Sequence, residues 1–299
     1  MLAYLLVALL AAIPILSAPI ESLSARQSSY VKQLYLLKDP LISDNDLIKS
    51  AGFNTVIVFQ VGVEPNGDII FYGANANPTV ATGGQYVGGS AYADTISAYK
   101  TGSTTIQRVE LAILSGSMSY QSIKSLIASN GTGPNTPLYE NFKALKAAWD
   151  LDAINDDDEE VYDVSSTVAF AGMMGEIGYK YTAAPYTNQA FWAEVISQVN
   201  QNSPGLFDRA YLQTYDGGEG NDPGQWGSAL GMPVIPLVWV SNPSDPQYGE
   251  TPTQAQLAFE TWHLTETIAG GGYWNSYDIE NSDHADYDAY AQALTNVFG

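Results

Sequence analysis

Between residues 152 and 159 the chain places Asp152, Asn155, Asp157 and Glu159, with two further acids, Asp156 and Asp158, between them. In an extended strand side chains alternate from face to face, so Asn155, Asp157 and Glu159 share one side. Carboxylates stacked on one side repel each other. The repulsion tends to raise the pKa of one of them, and a carboxyl that keeps its proton suits a general acid. Two plainer readings stand beside this one. The run could be a solvated charged loop, or it could hold calcium through its oxygens, although it lacks the glycine and the spacing of an EF-hand loop.

Such acids need a frame. Apolar, β-branched runs alternate with helical patterns along the chain, and eight of them read as strands: 33–37, 55–60, 108–114, 149–155, 179–184, 209–215, 234–240 and 271–277. Several are almost continuously apolar, as expected for parallel strands covered on both sides. The clearest helices between them are 119–129, 139–148, 164–177, 188–200, 253–268 and 283–298. In the last, Tyr287, Tyr290, Ala291, Leu294, Val297 and Phe298 fall on one face. In the helix before it, Leu257, Thr261, Leu264 and Ile268 do the same, and Gly270 follows as a stop signal. Eight strand–helix alternations predict an α/β fold, a (β/α)8 TIM barrel, over residues 31–299. After the second strand, Glu64–Asp68 is a turn signal between Val61–Val63 and Ile69–Tyr72, which predicts an inserted β-hairpin. Residues 73–90 lack periodicity and are expected to form a long loop that shapes the barrel mouth.

Active sites of such barrels lie at the C-terminal ends of the strands. The acid run ends the fourth. The third ends Leu111-Ala112-Ile113-Leu114-Ser115-Gly116, the sixth reads Tyr211-Leu212-Gln213-Thr214-Tyr215-Asp216, and the eighth reads Gly270-Gly271-Gly272-Tyr273-Trp274. In this order these segments resemble the Ser-x-Gly-Gly, Asp-x-x-Asp-x-Asp-x-Glu, Met-x-Tyr-Asp or Gln-x-Tyr, and Gly-rich Trp motifs of the family 18 glycoside hydrolases, the chitinases and endo-β-N-acetylglucosaminidases. Asn155 stands where that pattern has its second Asp, and Ala153 where it has Gly. A frame shifted to Asp156, Asp158 and Glu160 repeats the spacing but loses the fit of Leu151, Asp152 and Ile154.

The resemblance implies Glu159 as proton donor, Asp157 beside the substrate's acetamido group and Tyr215 positioning that group. It implies Asp152, Asn155, Gln213, Asp216 and Trp274 as substrate contacts, with no cofactor and no metal. It implies a retaining hydrolase of β-linked N-acetylglucosamine glycans. A lectin-like protein on the same barrel is the alternative. Gln213 before Tyr215 tilts toward the endoglycosidase branch. Asp156 and Asp158 occupy positions where the family has apolar residues. Buried and unpaired acids are costly there, so they are expected in a solvated loop.

Composition bounds the rest. The net charge of −21 repels nucleic acid and anionic membranes. The chain has no cysteine, which excludes disulfides and thiol chemistry. His263 and His284 are too far apart in the sequence to suggest a zinc site. Serine-hydrolase, phosphate-loop and dinucleotide motifs are absent. Residues 1–18 form a short apolar run ending Leu16-Ser17-Ala18, read as a secretory signal peptide, and 19–30 as a flexible mature N-terminus. A secreted monomer is expected, acting on a glycan and free of the membrane after signal cleavage. Asn130-Gly131-Thr132 is an acceptor sequence for N-glycosylation at Asn130.

Overall fold

The computed structural model describes residues 30–73, 76–116, 118–242, 249–281 and 286–299. The signal-peptide expectation, nearly all of the expected mature N-terminus, and His284 lie outside the described residues. The strands are β1 (Val31–Leu36), β2 (Thr55–Val63), β3 (Ile69–Phe71), β4 (Thr79–Thr82), β5 (Gln85–Tyr86), β6 (Arg108–Ile113), β7 (Ala153–Asp156), β8 (Lys180–Ala183), β9 (Phe207–Gln213), β10 (Ile235–Trp239) and β11 (Gly270–Trp274). The α-helices are α1 (Asn45–Ser50), α2 (Ser90–Ser97), α3 (Ser119–Asn130), α4 (Pro137–Trp149), α5 (Val164–Ile177), α6 (Gln189–Asn202), α7 (Pro223–Leu230), α8 (Pro252–Thr265), α9 (Ser276–Asn281) and α10 (Tyr287–Phe298).

Strands β1, β2, β6, β7, β8, β9, β10 and β11 pair in parallel in that order, and β1 also pairs with β11. The sheet therefore closes into the eight-stranded barrel that the alternation predicts. Its apolar residues divide by strand parity. Leu34, Val56, Val58, Leu111 and Ile154 join the layer under the helices, whereas Tyr35, Ile57, Ala112, Tyr211 and Leu237 fill the barrel interior. At the N-terminal end polar groups join the filling. Buried Glu110 accepts hydrogen bonds from Arg108, Tyr211 and Thr182, and Arg108 makes a two-pronged pair with Asp208.

The eighth strand needs its glycines. A Cβ on Gly270 would lie 2.1 Å from the Val31 carbonyl oxygen, at a φ of +143° that disfavours L side chains. A Cβ on Gly271 would lie 2.7 Å from the Phe259 ring, so the missing side chain makes room for that ring.

Three local expectations change. Trp149 ends α4 rather than opening a strand. Asp150 turns the chain in the left-handed region, and β7 begins at Ala153. In α8 the buried residues are Ala255 and Phe259, while Leu257 and Leu264 are exposed. The large ring wins the inward position because it fills the space beneath Gly271 and meets Tyr273 and Phe298. The hairpin forms as expected, with Val61 opposite Phe71 and Val63 opposite Ile69. The following segment, however, is not a mouth loop. It continues as β4 and β5 and packs on α4, where Asn141 bonds Gly84 and Gly67 and Trp149 donates to Tyr86. Among the described residues no helix is long and apolar enough to cross a membrane.

Candidate active site

At the C-terminal ends of the barrel strands lies a cleft of about 410 Å³, within the usual range of small-molecule sites. Asp157, Glu159, Gln213, Tyr215, Asp216 and Trp274 all line it. The pleat explains the first two. β7 turns Asn155 inward, Asp157 just past its end keeps that alternation, and Glu159 follows at the rim, its backbone N–H donating to Ser115 Oγ at 3.1 Å.

Gln213 links the two acids. Its side-chain Nε2 donates to the Ala184 carbonyl at 2.8 Å and faces Asp157 Oδ1 at 3.3 Å and Glu159 Oε1 at 3.5 Å. An amide nitrogen has two protons. One goes to Ala184 and the other is shared between the carboxyls, so this amide is engaged with the protein as well as facing the cleft.

Burial pushes the Asp157 carboxyl well above the ordinary carboxylate range, and Glu159, Asp156 and Asp158 push it the same way. Burial also raises Glu159; the Gln213 hydrogen bond opposes this, while Asp216, Glu160 and Asp158 add to it. Two neighbouring acids biased toward the protonated form are suited to holding and passing on a proton. Tyr215 has no hydrogen bond from its hydroxyl among the described residues. Burial, then the charges of Asp157 and Glu159, raise its pKa, so it remains a neutral donor. Trp274 forms an apolar wall, its ring edge-on to Phe59 at 4.6 Å and to Tyr35 at 5.3 Å between centroids. Asp216 is exposed at the rim in the left-handed region, with φ +37°.

Two expected substrate contacts stand elsewhere. Asp152 precedes β7, at the opposite end of the strand from the cleft. Its carboxylate is bound by Lys100 at 2.9 Å and by the Val109 N–H at 2.8 Å. Asn155 is fully buried beneath the cleft, its Oδ1 accepting from the Tyr35 hydroxyl at 2.8 Å and its Nδ2 donating to Thr182 at 3.0 Å. Neither lines the cleft. Asn130 is exposed, as the last residue of α3 rather than within a loop.

Asp156 and Asp158 are not solvated; both are buried. Asp156 accepts from the Tyr181 hydroxyl at 2.6 Å. Asp158 accepts the backbone N–H groups of Glu160, Val161 and Tyr162 at 2.7–2.9 Å. Donors from the protein meet the desolvation cost that the sequence suggests would drive these acids into water. They also occupy the oxygens that a calcium ion would need. No group of three or more potential metal-ligating side chains forms among the described residues.

Ser115, from the third-strand motif, also lines the cleft, as do residues that the motifs do not include: Tyr35, Phe59, Gln60 and Tyr186. Each sits at or just beyond a barrel strand, and Tyr35, Phe59, Gln60 and Tyr186 lie in or after strands for which no motif is recognised. Their position at the barrel's C-terminal face is the signal that could have found them.

Comparison of the sequence with protein-family models and with curated proteins gives no match. Solved structures do match. The chain shares its fold with the catalytic domain of a family GH18 chitinase from the fern Peteris ryukyuensis, at 14% identity over 89% of this chain and 98% of that one, with a TM-score of 0.59. A putative chitinase A from Streptomyces coelicolor matches at 12% identity over 90% of this chain and 99% of that one, with a TM-score of 0.58. A chitinase-like agglutinin from Robinia pseudoacacia matches at 12% identity over 89% and 99%, with a TM-score of 0.60. The fold is thus that of the family 18 chitinases, a barrel used by enzymes and by an agglutinin.

Proposed function

We propose that this protein is a secreted, retaining glycoside hydrolase acting on β-linked N-acetylglucosamine-containing glycans. The observation that carries this reading is the meeting of Asp157, Glu159, Tyr215 and the Trp274 ring around one cleft. In this reading Glu159 gives its proton to the glycosidic oxygen as the bond to the anomeric carbon breaks. The substrate's own acetamido oxygen attacks that carbon and forms a cyclic oxazolinium, so the protein supplies no nucleophile. Asp157 accepts a hydrogen bond from the acetamido N–H and balances the positive charge. Tyr215 donates to the acetamido oxygen, and Trp274 stacks on the apolar face of the sugar. Water then opens the ring, with Glu159 taking back a proton.

The test is hydrolysis of a chitooligosaccharide and of an N-glycan core by the wild-type protein and by Glu159→Gln. The variant is expected to keep its thermal unfolding and to lose kcat by at least about a thousandfold. A folded Glu159→Gln with wild-type turnover would remove Glu159 from this role.

Asn155 favours a second reading, a lectin-like protein. Its amide is held by Tyr35 and Thr182 and supplies no second carboxylate beside Asp157. Glycan binding without cleavage over long incubation would select it. Secretion and glycosylation at Asn130 belong to the same proposal, tested by the mass and N-terminus of the protein recovered from its native host.

A further inference from the structure

Asp156 is a fully buried acid that the proposed chemistry does not use. It faces away from Asn155 and Asp157, toward the helical layer. Its Oδ2 accepts the Tyr181 hydroxyl of β8 at 2.6 Å and its Oδ1 accepts the Asp158 N–H at 3.0 Å. Tyr120, from the first turn of α3, also bears on this carboxyl, its phenol favouring the ionised form. The same Tyr120 hydroxyl accepts the backbone N–H of Asp157 at 2.6 Å and donates to the Ile113 carbonyl at 3.2 Å. One phenol thus stands between the Asp156 side chain and the main chain of Asp157. Asp158 braces the next stretch through its three backbone hydrogen bonds just beyond Glu159.

An apolar residue at position 156 would pack against the helices without the cost of burying a carboxyl. The acid is instead built into the support of the strand tip. We propose that Asp156, acting through Tyr120, is a positioning residue that sets the orientation of Asp157, and with it Glu159, in the cleft. A phenol has one proton to donate. In the structure it goes to the Ile113 carbonyl, and an ionised Asp156 competes for it. The phenol oxygen holds the Asp157 N–H.

The groups that act on Asp156 are Asp158 on its own segment, Tyr181 from β8 and Tyr120 from α3, while Asp157 feels its charge through the chain. Burial, then the Asp158 charge, push Asp156 up to about 7, and the two phenols oppose the shift. The support therefore contains a carboxyl that changes its charge near neutral pH.

The kinetic consequence rests on the glycosidase reading, whereas the geometry does not, so the test has two arms. The first is a carboxyl ¹³C NMR titration of the unliganded full chain. Tyr120→Phe is expected to move the Asp157 midpoint by about one pH unit. Asp156→Asn is expected to lower that midpoint, because a neighbouring negative charge is gone. The second arm is turnover of a chitooligosaccharide. Asp156→Leu is expected to lower kcat about tenfold with KM nearly unchanged, and Asp156→Asn, which keeps the shape and an acceptor for Tyr181, to restore most of it. If Asp156→Leu fails to fold, Tyr120→Phe takes its place in this arm. Folded Tyr120→Phe and Asp156→Asn proteins with an unmoved Asp157 midpoint overturn the proposal, as does turnover equal to wild type in folded Asp156→Leu or, in its place, folded Tyr120→Phe. If the wild-type protein cleaves no glycan, the glycosidase reading falls alone and the NMR arm still decides the positioning role.

Discussion

The Tyr35 hydroxyl donates a 2.8 Å hydrogen bond to Asn155 Oδ1 inside the barrel, where both residues are buried. The far end of the same amide donates to Thr182, whose hydroxyl in turn donates to Glu110 at 2.7 Å. The residue beneath the cleft acids is therefore neutral and held at both ends. Introducing a carboxyl there, Asn155→Asp, removes the Thr182 contact and buries a new ionisable group. Its folded pKa would be raised, so the folded state would hold a proton that the unfolded state has released. The penalty is then small below about pH 4 and grows as pH rises toward the folded pKa. We expect a loss of about 1–3 kcal/mol at pH 8 and much less at pH 4, measured by urea unfolding at both values. A loss independent of pH would refute this account.

Gln213 is the other neutral residue that manages the acids. Its hydrogen bond opposes the upward shift of Glu159. Replacing it by Leu removes that opposition, so Glu159 should stay protonated to higher pH. In the enzyme reading, Gln213→Leu lowers kcat about tenfold and moves the alkaline limb of the kcat profile upward. A limb displaced to lower pH would contradict the role assigned to the amide.

The stability of the folded chain should depend on pH with a definite sign. Asp156 is raised to about 7, and Asp157 moves in the same direction. Between the ordinary Asp value of about 4 and about 7, the folded protein holds protons that the unfolded chain has lost, so stability declines as pH rises across this window. Asp163 works the other way. Hydrogen bonds from Lys124 and Ser166 lower it to about 2, and its smaller, solvent-screened contribution disappears as pH falls from about 4 toward that value. Thermal unfolding followed from pH 3 to 9 should be highest on the acid side of neutrality. Asp156→Asn should flatten the decline toward pH 8.

The eight barrel strands are legible because they recur as short, largely apolar runs between helical patterns, several of them almost continuous. The acid frame is legible because alternation in a strand is a strict rule. Other features depend on neighbours that only the fold brings together. Periodicity alone suggests Leu257 and Leu264 for the inner face of α8, whereas Phe259 occupies it because Gly271 leaves space across the sequence gap. The burial of Asp156 and Asp158 could not be anticipated without Tyr181, Tyr120 and the turn after Glu159 in place. Tyr186 reaches the cleft from beyond a strand that carries no motif. Asp152 belongs to the sequence pattern yet binds Lys100 at the far end of its strand, because a pattern records spacing and not which end of the strand a side chain serves.

The assignment of α8 can be checked directly. Phe259→Ala should cost about 3–5 kcal/mol of stability, as for other fully buried aromatics. Leu264→Ala, at a site that is 84% exposed, should fall within about 0.5 kcal/mol of wild type. Denaturant unfolding of both variants would separate the two faces, and a larger loss for Leu264→Ala would reverse the helix.

The polar filling at the closed end of the barrel has a consequence for anyone altering this protein. Arg108 and Asp208 grip each other near the base, Arg108 also holds Glu110, and Glu110 continues through Thr182 and Asn155 to Tyr35 at the cleft. Redesigning the base for heat resistance therefore also edits the floor on which a ligand rests. The turn between β4 and β5, where Gly83 and Gly84 leave the strands on the α4 side, is the safer place to graft a tag, a label or a longer insert.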